Sequence, residues 1–251
     1  MITPSGFAKK RLLKKLFKNL PDNRILVDAG CAGGALSFDL DVQTKIALDF
    51  NLNLNARTQE SMSGVECDIS QIPLRDGCID YVLCLDALEH IVDDNKVVEE
   101  FYRVLKNGGL IIITTPFKDC EYFPKLLRSF FKLDAVTLNK DYGHVRTGYS
   151  IEDLRCLLKD FNILSYDSFD GTITRMLDLL IYRPVFKLYN HGISFKQIGN
   201  EVRRNKLTEY IENVHDFLFP FVFGLPIIIG EKYVRLEHFI VGEKSEKIST
   251  D

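Results

Sequence analysis

The stretch Ile25-Leu26-Val27-Asp28-Ala29-Gly30-Cys31-Ala32-Gly33-Gly34 constrains this chain more than any other. β-Forming residues run into an acid and then a glycine-rich turn, and Ala35-Leu36-Ser37-Phe38 reads as the opening of a short helix over 34–40. A buried parallel strand that stops here must turn sharply, and glycine permits φ > 0 and close approach of a ligand to the backbone. The helical turn that follows aims free N–H groups over the loop. Strand, loop and helix in this order make the βα turn at which open α/β sheets bind nucleotides.

Two kinds of nucleotide site do not fit. The phosphate loop of kinases and ATPases needs Lys-Ser or Lys-Thr after its glycines, and none follows here. The dinucleotide fingerprint needs Gly-x-Gly-x-x-Gly, a spacing that Gly30, Gly33 and Gly34 do not match. Downstream, Lys45 to Asp49 reads as a second strand closing on an acid. A carboxylate at that tip can accept from both hydroxyls of a ribose, or it can cap the Asn-rich turn that follows. Gly64 to Ile69 reads as a third strand with Asp68 at its exit, and Tyr81 to Leu85 as a fully apolar fourth. A helix follows over 94–105, with Val97, Val98, Phe101, Val104 and Leu105 at helical spacing. Gly108 and Gly109 are expected to stop it, and Leu110 to Thr115 to form strand five, ended by Pro116. Helices are expected over 121–132 and 150–160, the latter capped by Ser150 and Asp153. Asn162 to Phe169 and Glu237 to Lys244 complete the strands.

Asp28, Gly30 and Gly34 resemble motif I of class I S-adenosylmethionine-dependent methyltransferases, an acid followed by Gly-x-Gly-x-Gly. Ala32 stands where the middle glycine is usual, adding a methyl and disfavouring φ > 0, and Gly33 sits beside it. Gln71 to Asp80 is similar to that family's "LPF-x-D-x-x-FD" connection, and Leu88-Glu89-His90 to the tripeptide its small-molecule branch carries after strand four. Arg103-Val104-Leu105-Lys106 with Gly108-Gly109, and Gly143-His144-Val145-Arg146 with Tyr149-Ser150, are also family-like. The resemblance covers roughly residues 22–170. It implies a Rossmann-like, mostly parallel seven-stranded sheet with strand seven antiparallel, and S-adenosylmethionine as cofactor. It further implies that Asp28, Ala29, Gly30, Cys31 and Gly34 hold the cofactor from the loop and Asp49 and Phe50 from strand two. Asp68 and Ile69 would meet the adenine, and Leu85 would close the site at the end of strand four.

An enzyme moving a methyl group to a small or amphipathic acceptor (lipid-, quinone- or sugar-like) follows from the same resemblance. The cofactor carries its own activated methyl, so the protein binds, orients and shields, and an oxygen acceptor also gains from a base. His144, His90 and Glu89 are the candidates for that catalytic role. Asp86, Glu89, His90 and His144 also resemble the ligand set of divalent-metal-dependent relatives, although a metal-free site is the leading expectation. Two other readings stay open: a cofactor-binding subunit without its own chemistry, and a nicotinamide-dependent oxidoreductase. Asn/Asp-Pro-Pro-Tyr/Phe after strand four and a Pro-Cys nucleophile are both absent, which argues against enzymes that methylate bases.

The remaining organisation is expected as follows. Residues 1–21 form a basic amphipathic helix, with Leu12, Leu13, Leu16, Phe17 and Leu20 on one face and Lys9, Lys10, Arg11, Lys14, Lys15 and Lys18 on the other. It packs on the domain edge or lids the cofactor pocket with its lysines solvated, or it lies on an anionic membrane. Residues 22–170 form the core and 236–244 its closing strand. Residues 171–235 form an apolar insert with helices over 176–188 and 207–217 and a proline-broken apolar run over 217–229, too short to cross a bilayer. That run is either the insert's own core, the wall of an acceptor pocket, or a membrane-dipping or dimerisation surface. Residues 245–251 form a tail. A net charge of −3 argues against a general grip on nucleic acid. Six cysteines without paired spacing read as small buried hydrophobes in a reducing cytoplasm. Oligomeric state is not legible.

Overall fold

In the computed structural model the described residues are 4–118, 144–169 and 237–245. The expected helices over 121–132, 176–188 and 207–217, and the apolar run 217–229, lie outside them. The chain divides into two compact units, Lys10–Phe169 with Leu236–Asp251, and Met1–Lys9 with Asp170–Arg235. Of the second unit only residues 4–9 are described.

The larger unit is built on a seven-stranded sheet in the order β3-β2-β1-β4-β5-β7-β6. The strands are β1 (Ile25–Ala29), β2 (Thr44–Asp49), β3 (Ser63–Glu66), β4 (Ile79–Leu85), β5 (Leu105–Pro116), β6 (Phe161–Phe169) and β7 (Glu237–Lys244). The first five pair in parallel, and β7 runs antiparallel to both β5 and β6. Every residue of β4 is buried, as a central strand covered on both faces requires. The chain reverses direction between β1 and β4, so the cleft at the carboxyl edge opens at the sheet's switch point.

Helices α1 (Pro4–Phe17), α2 (Ala56–Gln59), α3 (Asp94–Val104) and α4 (Ile151–Leu157) accompany the sheet. α3 presents Val97, Val98, Phe101 and Val104 to the core, all buried. α4 starts in the predicted capping box, in which Ser150 accepts from Asp153 N and Asp153 accepts from Ser150 N. In α1, Leu13 and Phe17 are buried, and the Phe17 ring meets Tyr81 edge-on at 5.4 Å. Lys10 and Lys14 bridge to Asp39 at 3.0 and 2.8 Å. At the opposite edge of the sheet from the cleft, buried Asp80 accepts from Arg24, Ile25 N and Lys106, tying β1, β4 and β5 together.

Three expectations need correction. Residues 34–40 form successive turns rather than a helix: Gly34 O accepts from both Ser37 N and Phe38 N, and Ser37 O from Leu40 N, a mixed pattern that never settles into one helical repeat. The third strand ends at Glu66, so Asp68 lies in the loop beyond it. Gly108 and Gly109 do not stop α3, which ends at Val104, where the extended backbone of Leu105 begins β5 at once. The pair instead sits where the β4–β5 register shifts, between Ile79 and Tyr81. A Cβ on Gly109 would lie 2.8 Å from Lys106 O and 3.1 Å from Asp80 O, so the close approach demands glycine.

Candidate functional site

The carboxyl ends of β1, β2 and β4 bring the glycine loop, Asp49 and the 86–91 turn to one edge. Gly30 N and Cys31 N both donate to Leu48 O, at 2.8 and 3.3 Å, which folds the loop back over β2. Gly30 takes φ +72, and a Cβ there would stand 2.5 Å from Ala87 Cβ. Gly34 takes φ +67 against Met62 Sδ and Leu54. Ala32 itself adopts φ +49, the left-handed conformation that a glycine would supply without strain. Its amide donates to Asp49 Oδ2 at 2.7 Å, and its carbonyl accepts from Asn53 N at 3.2 Å, so contacts on both sides hold the strained residue in place.

Asp49 also accepts from Asn51 N through Oδ1 at 2.9 Å. A carboxylate has about four lone-pair sites, so both oxygens keep capacity for a further donor each. Phe50, next in the chain, is 79% exposed, an aromatic face standing at the rim. Asp68 is exposed and accepts from Ser70 N at 2.8 Å, a bond that holds its carboxyl below the usual range, while Ile69 beside it is buried. Ala29 and Leu85 close their strands as buried apolar residues. Cys31 is half-buried, and burial followed by the charges of Asp28 and Asp49 pushes its thiol up, so it stays neutral at pH 7.

Asp28 sits differently from the other loop residues. It is buried and accepts from Ser37 Oγ, turned to the turn behind the loop. Burial pushes its carboxyl up to about 6, opposed by the Ser37 bond and assisted by Asp49. A folded-state value above the ordinary 3.8 means that the folded chain holds this proton more tightly than the unfolded one. The charged form therefore destabilises the cofactor-free protein as pH rises from about 4 through 6, by about 3 kcal/mol in full. Urea melts across that window should show Asp28→Asn gaining on the wild type as pH rises; a constant difference between the two would refute the assignment.

Beyond β4, Asp86 takes φ +52, its amide donates to Thr114 O, and its carboxylate accepts from Thr114 Oγ1 at 2.9 Å. A 3₁₀ turn, Leu88–His90, follows. Glu89 is buried, and its Oε2 accepts from Thr115 Oγ1 at 3.3 Å. His144 also lies against this turn. Its ring meets that of His90 edge-on at 4.6 Å, and one ligand atom each from Glu89, His90 and His144 lie within 4.8 Å of one another. Asp86, the fourth member of the sequence-based metal set, is outside this group.

Val145, Arg146 and Tyr149 of the family-like segment, with Asp94 and His238, which the sequence did not single out, hold His144 there. Val145 N and Arg146 N donate to Glu89 O at 3.0 and 3.4 Å. Arg146 spans to Asp94 and to the carbonyls of Ile91 and Val92, and Tyr149 donates to Leu88 O at 3.2 Å and Asp94 at 2.8 Å. The signal for Asp94 was the acid pair Asp93-Asp94: Asp93 caps α3 by accepting from Lys96 N, which leaves Asp94 to turn inward. His238 carries the bracing further. Its Nε2–H donates to Tyr149 O at 2.9 Å, so Nδ1 accepts from the Tyr166 hydroxyl, and burial lowers its pKa.

What this edge suits chemically follows from its charges. Asp28, Asp49, Asp68, Asp86 and Glu89 belong to it, while residues 28–34, 49–55, 67–71 and 85–91 contain no lysine or arginine. A dinucleotide or nucleoside triphosphate would bring its phosphates to an acidic rim. A nucleoside carrying a positive sulfonium meets matching charge, and its hydroxyls find Asp49. Gly30 and Gly34 keep the loop's backbone bare for close approach.

Comparison with known proteins agrees. Residues 27–113 match the family described as a methyltransferase domain. Over these residues the chain is similar to a methyltransferase domain. Its stretch of 114 residues is 38% identical to an uncharacterised protein of Methanocaldococcus jannaschii, covering 45% of this chain and 49% of that one. Another of 148 residues is 29% identical to a malonyl-[acyl-carrier protein] O-methyltransferase of Marinomonas, covering 54% and 53%. The chain thus spans about half the length of these relatives. Among solved structures, a sarcosine dimethylglycine methyltransferase from Galdieria sulphuraria, itself described as putative, overlays with a TM-score of 0.58 at 17% identity, covering 95% of this chain and 86% of that one. Such a likeness bears on fold alone. The cofactor that goes with the methyltransferase domain is S-adenosylmethionine.

Among the described residues no helix is long and apolar enough to cross a membrane. Of the five described cysteines only Cys84 is fully buried, Cys31, Cys67 and Cys78 are half-buried and Cys156 is exposed, which corrects the expectation of buried hydrophobes; all five are free.

Proposed function

We propose that this chain transfers a methyl group from S-adenosylmethionine to an oxygen of a small or amphipathic acceptor. The observation that carries the reading is the meeting, at one sheet edge, of an acidic nucleoside-type cleft and the Glu89–His90–His144 cluster. When bound, the cofactor supplies an electrophilic methyl for in-line displacement. The chain's own work is to hold the two reactants. Asp49 receives the ribose hydroxyls, Phe50 and Ile69 flank the base, and the loop from Ala29 to Gly34 seats the rest. Holding acceptor and methyl in line supplies on the order of 7–11 kcal/mol of the barrier. His144, braced through Arg146 and Tyr149, takes the proton of an acceptor hydroxyl, and buried Glu89 favours the imidazolium that results. An oxygen acceptor is supported by the name of the Marinomonas relative and by the presence of a base, which a sulfonium acting on an amine needs less.

A second role for the same cluster rests on its geometry: one carboxylate and two imidazoles within 4.8 Å suit Zn²⁺ or Mn²⁺ better than Mg²⁺. A cofactor-binding subunit without chemistry would keep the cleft and lack turnover. The nicotinamide alternative is disfavoured by the acidic rim.

Calorimetric titration with S-adenosylhomocysteine, with NAD as control, tests the cofactor. Asp49→Ala should weaken binding by about ten- to a hundredfold, the worth of one or two hydrogen bonds to a charged acceptor. No binding by a folded wild type, or equal binding by the variant, would remove this assignment.

A further inference from the structure

We propose that the outward face of α1 binds the surface of an anionic lipid bilayer. At about 100° per residue, Arg11, Lys14, Lys15 and Lys18 fall on one arc of α1 and the turn that continues it, opposite the buried Leu13 and Phe17. All four are exposed, and among the described residues only Lys14 is engaged, at Asp39. The charge of the chain is polarised: residues 1–21 contain six cations and no acid, whereas the whole chain stands at −3. The cations are therefore not balanced by neighbours along the helix, and their combined field reaches roughly a Debye length, about 8–10 Å, into solution.

The geometry favours lipid over nucleic acid. The arc is the convex side of a single helix, which by itself offers no groove to follow a phosphate backbone. Half-buried Leu12 borders the arc, placing an apolar side chain at headgroup depth. Leu13 and Phe17 are committed to the protein core, so α1 cannot roll its apolar side into the bilayer. The attachment is electrostatic, reversible and sensitive to salt. It also has an address. Lys10, on the same helix, bridges to Asp39 and reaches Ala35 O at 3.5 Å, in the turns that follow the glycine loop. A bilayer held by α1 thus lies beside the segment that leaves the cofactor loop, whatever reaction takes place there.

Flotation of the full chain with vesicles tests this. Vesicles of roughly half phosphatidylglycerol in phosphatidylcholine should carry the protein at low ionic strength, and release it at about 0.5 M salt, where screening shortens to a few ångströms. Pure phosphatidylcholine should not carry it. Arg11→Gln with Lys15→Gln and Lys18→Gln should lower partitioning by about a hundredfold, since each cation near such a surface contributes up to several-fold. The triple variant should keep the wild-type melting temperature and S-adenosylhomocysteine affinity, because none of the three side chains enters the core or the cleft. No binding to phosphatidylglycerol at low salt, equal binding to pure phosphatidylcholine, or undiminished binding by the triple variant would each overturn the proposal. Preferential capture by duplex DNA or single-stranded RNA in competition would assign the face to nucleic acid instead, and overturn it equally.

Discussion

Gly30→Ala should abolish S-adenosylhomocysteine binding, lowering affinity by at least about a hundredfold, while Gly77→Ala leaves it nearly unchanged. Both glycines occupy the left-handed region, at φ +72 and +58, so both substitutions carry the same backbone cost, about 1–2 kcal/mol. They differ in what the new methyl meets. At Gly77 nothing lies within 4 Å; at Gly30 the methyl would stand 2.5 Å from Ala87 Cβ. Either the loop or the 86–91 turn must shift, and a displacement of about 1 Å in a positioning element costs on the order of a hundredfold. Ala87→Gly in the Gly30→Ala background removes the opposing methyl and should recover much of the loss, a coupling that a double-mutant cycle measures directly. Calorimetry on the four proteins, with urea melts alongside, reads both effects. Binding by Gly30→Ala within tenfold of the wild type would mean that the loop is not where the cofactor sits.

His144→Ala should slow methyl transfer by about 10²–10⁴-fold, the worth of a general base, with S-adenosylhomocysteine affinity within about twofold of the wild type. Product release, followed with whichever acceptor supports turnover, is the measurement. The two roles for the cluster then separate on prolonged chelation. A base acting alone survives it, whereas a metal site loses activity that Zn²⁺ or Mn²⁺ restores. Arg146→Met gives a finer control. It leaves His144 in the chain but removes the span from Asp94 to the carbonyls of Ile91 and Val92, so it should lower turnover while sparing cofactor binding. An unchanged rate in His144→Ala would place the chemistry elsewhere.

Much of the architecture was legible because its signals are local. The apolar run of β4, the strand that enters the glycine loop and the Ser150–Asp153 cap each arise from a few consecutive residues, and each stands where expected. Failures came where a distant partner decides. Gly108 and Gly109 look like a helix stop by themselves; only Asp80, across the sheet, makes them a bulge. The turns at 35–40 lack helical repeat because Ser37 is drawn to Asp28 and Asp39 to the lysines of α1. The site shows the same division. That Glu89, His90 and His144 come together could be read from the resemblance. That Asp94, Tyr149 and His238 brace them could not, because these contacts join residues more than fifty positions apart.

The position of β7 has a consequence for how the protein is made. It lies between β5 and β6, yet residues 170–236 separate it from β6 in the chain. On the ribosome, at about 5–20 residues per second, that stretch takes roughly 3–13 s to synthesise. Throughout that interval β5 has β4 on one side and lacks its partner β7 on the other, at an edge that carries Ile111, Ile112 and Ile113. An unpaired apolar edge is a template for pairing with another chain. The sheet is thus vulnerable during synthesis beside its fifth strand, and it becomes one continuous surface only when Glu237–Lys244 emerges and is threaded between two strands already made.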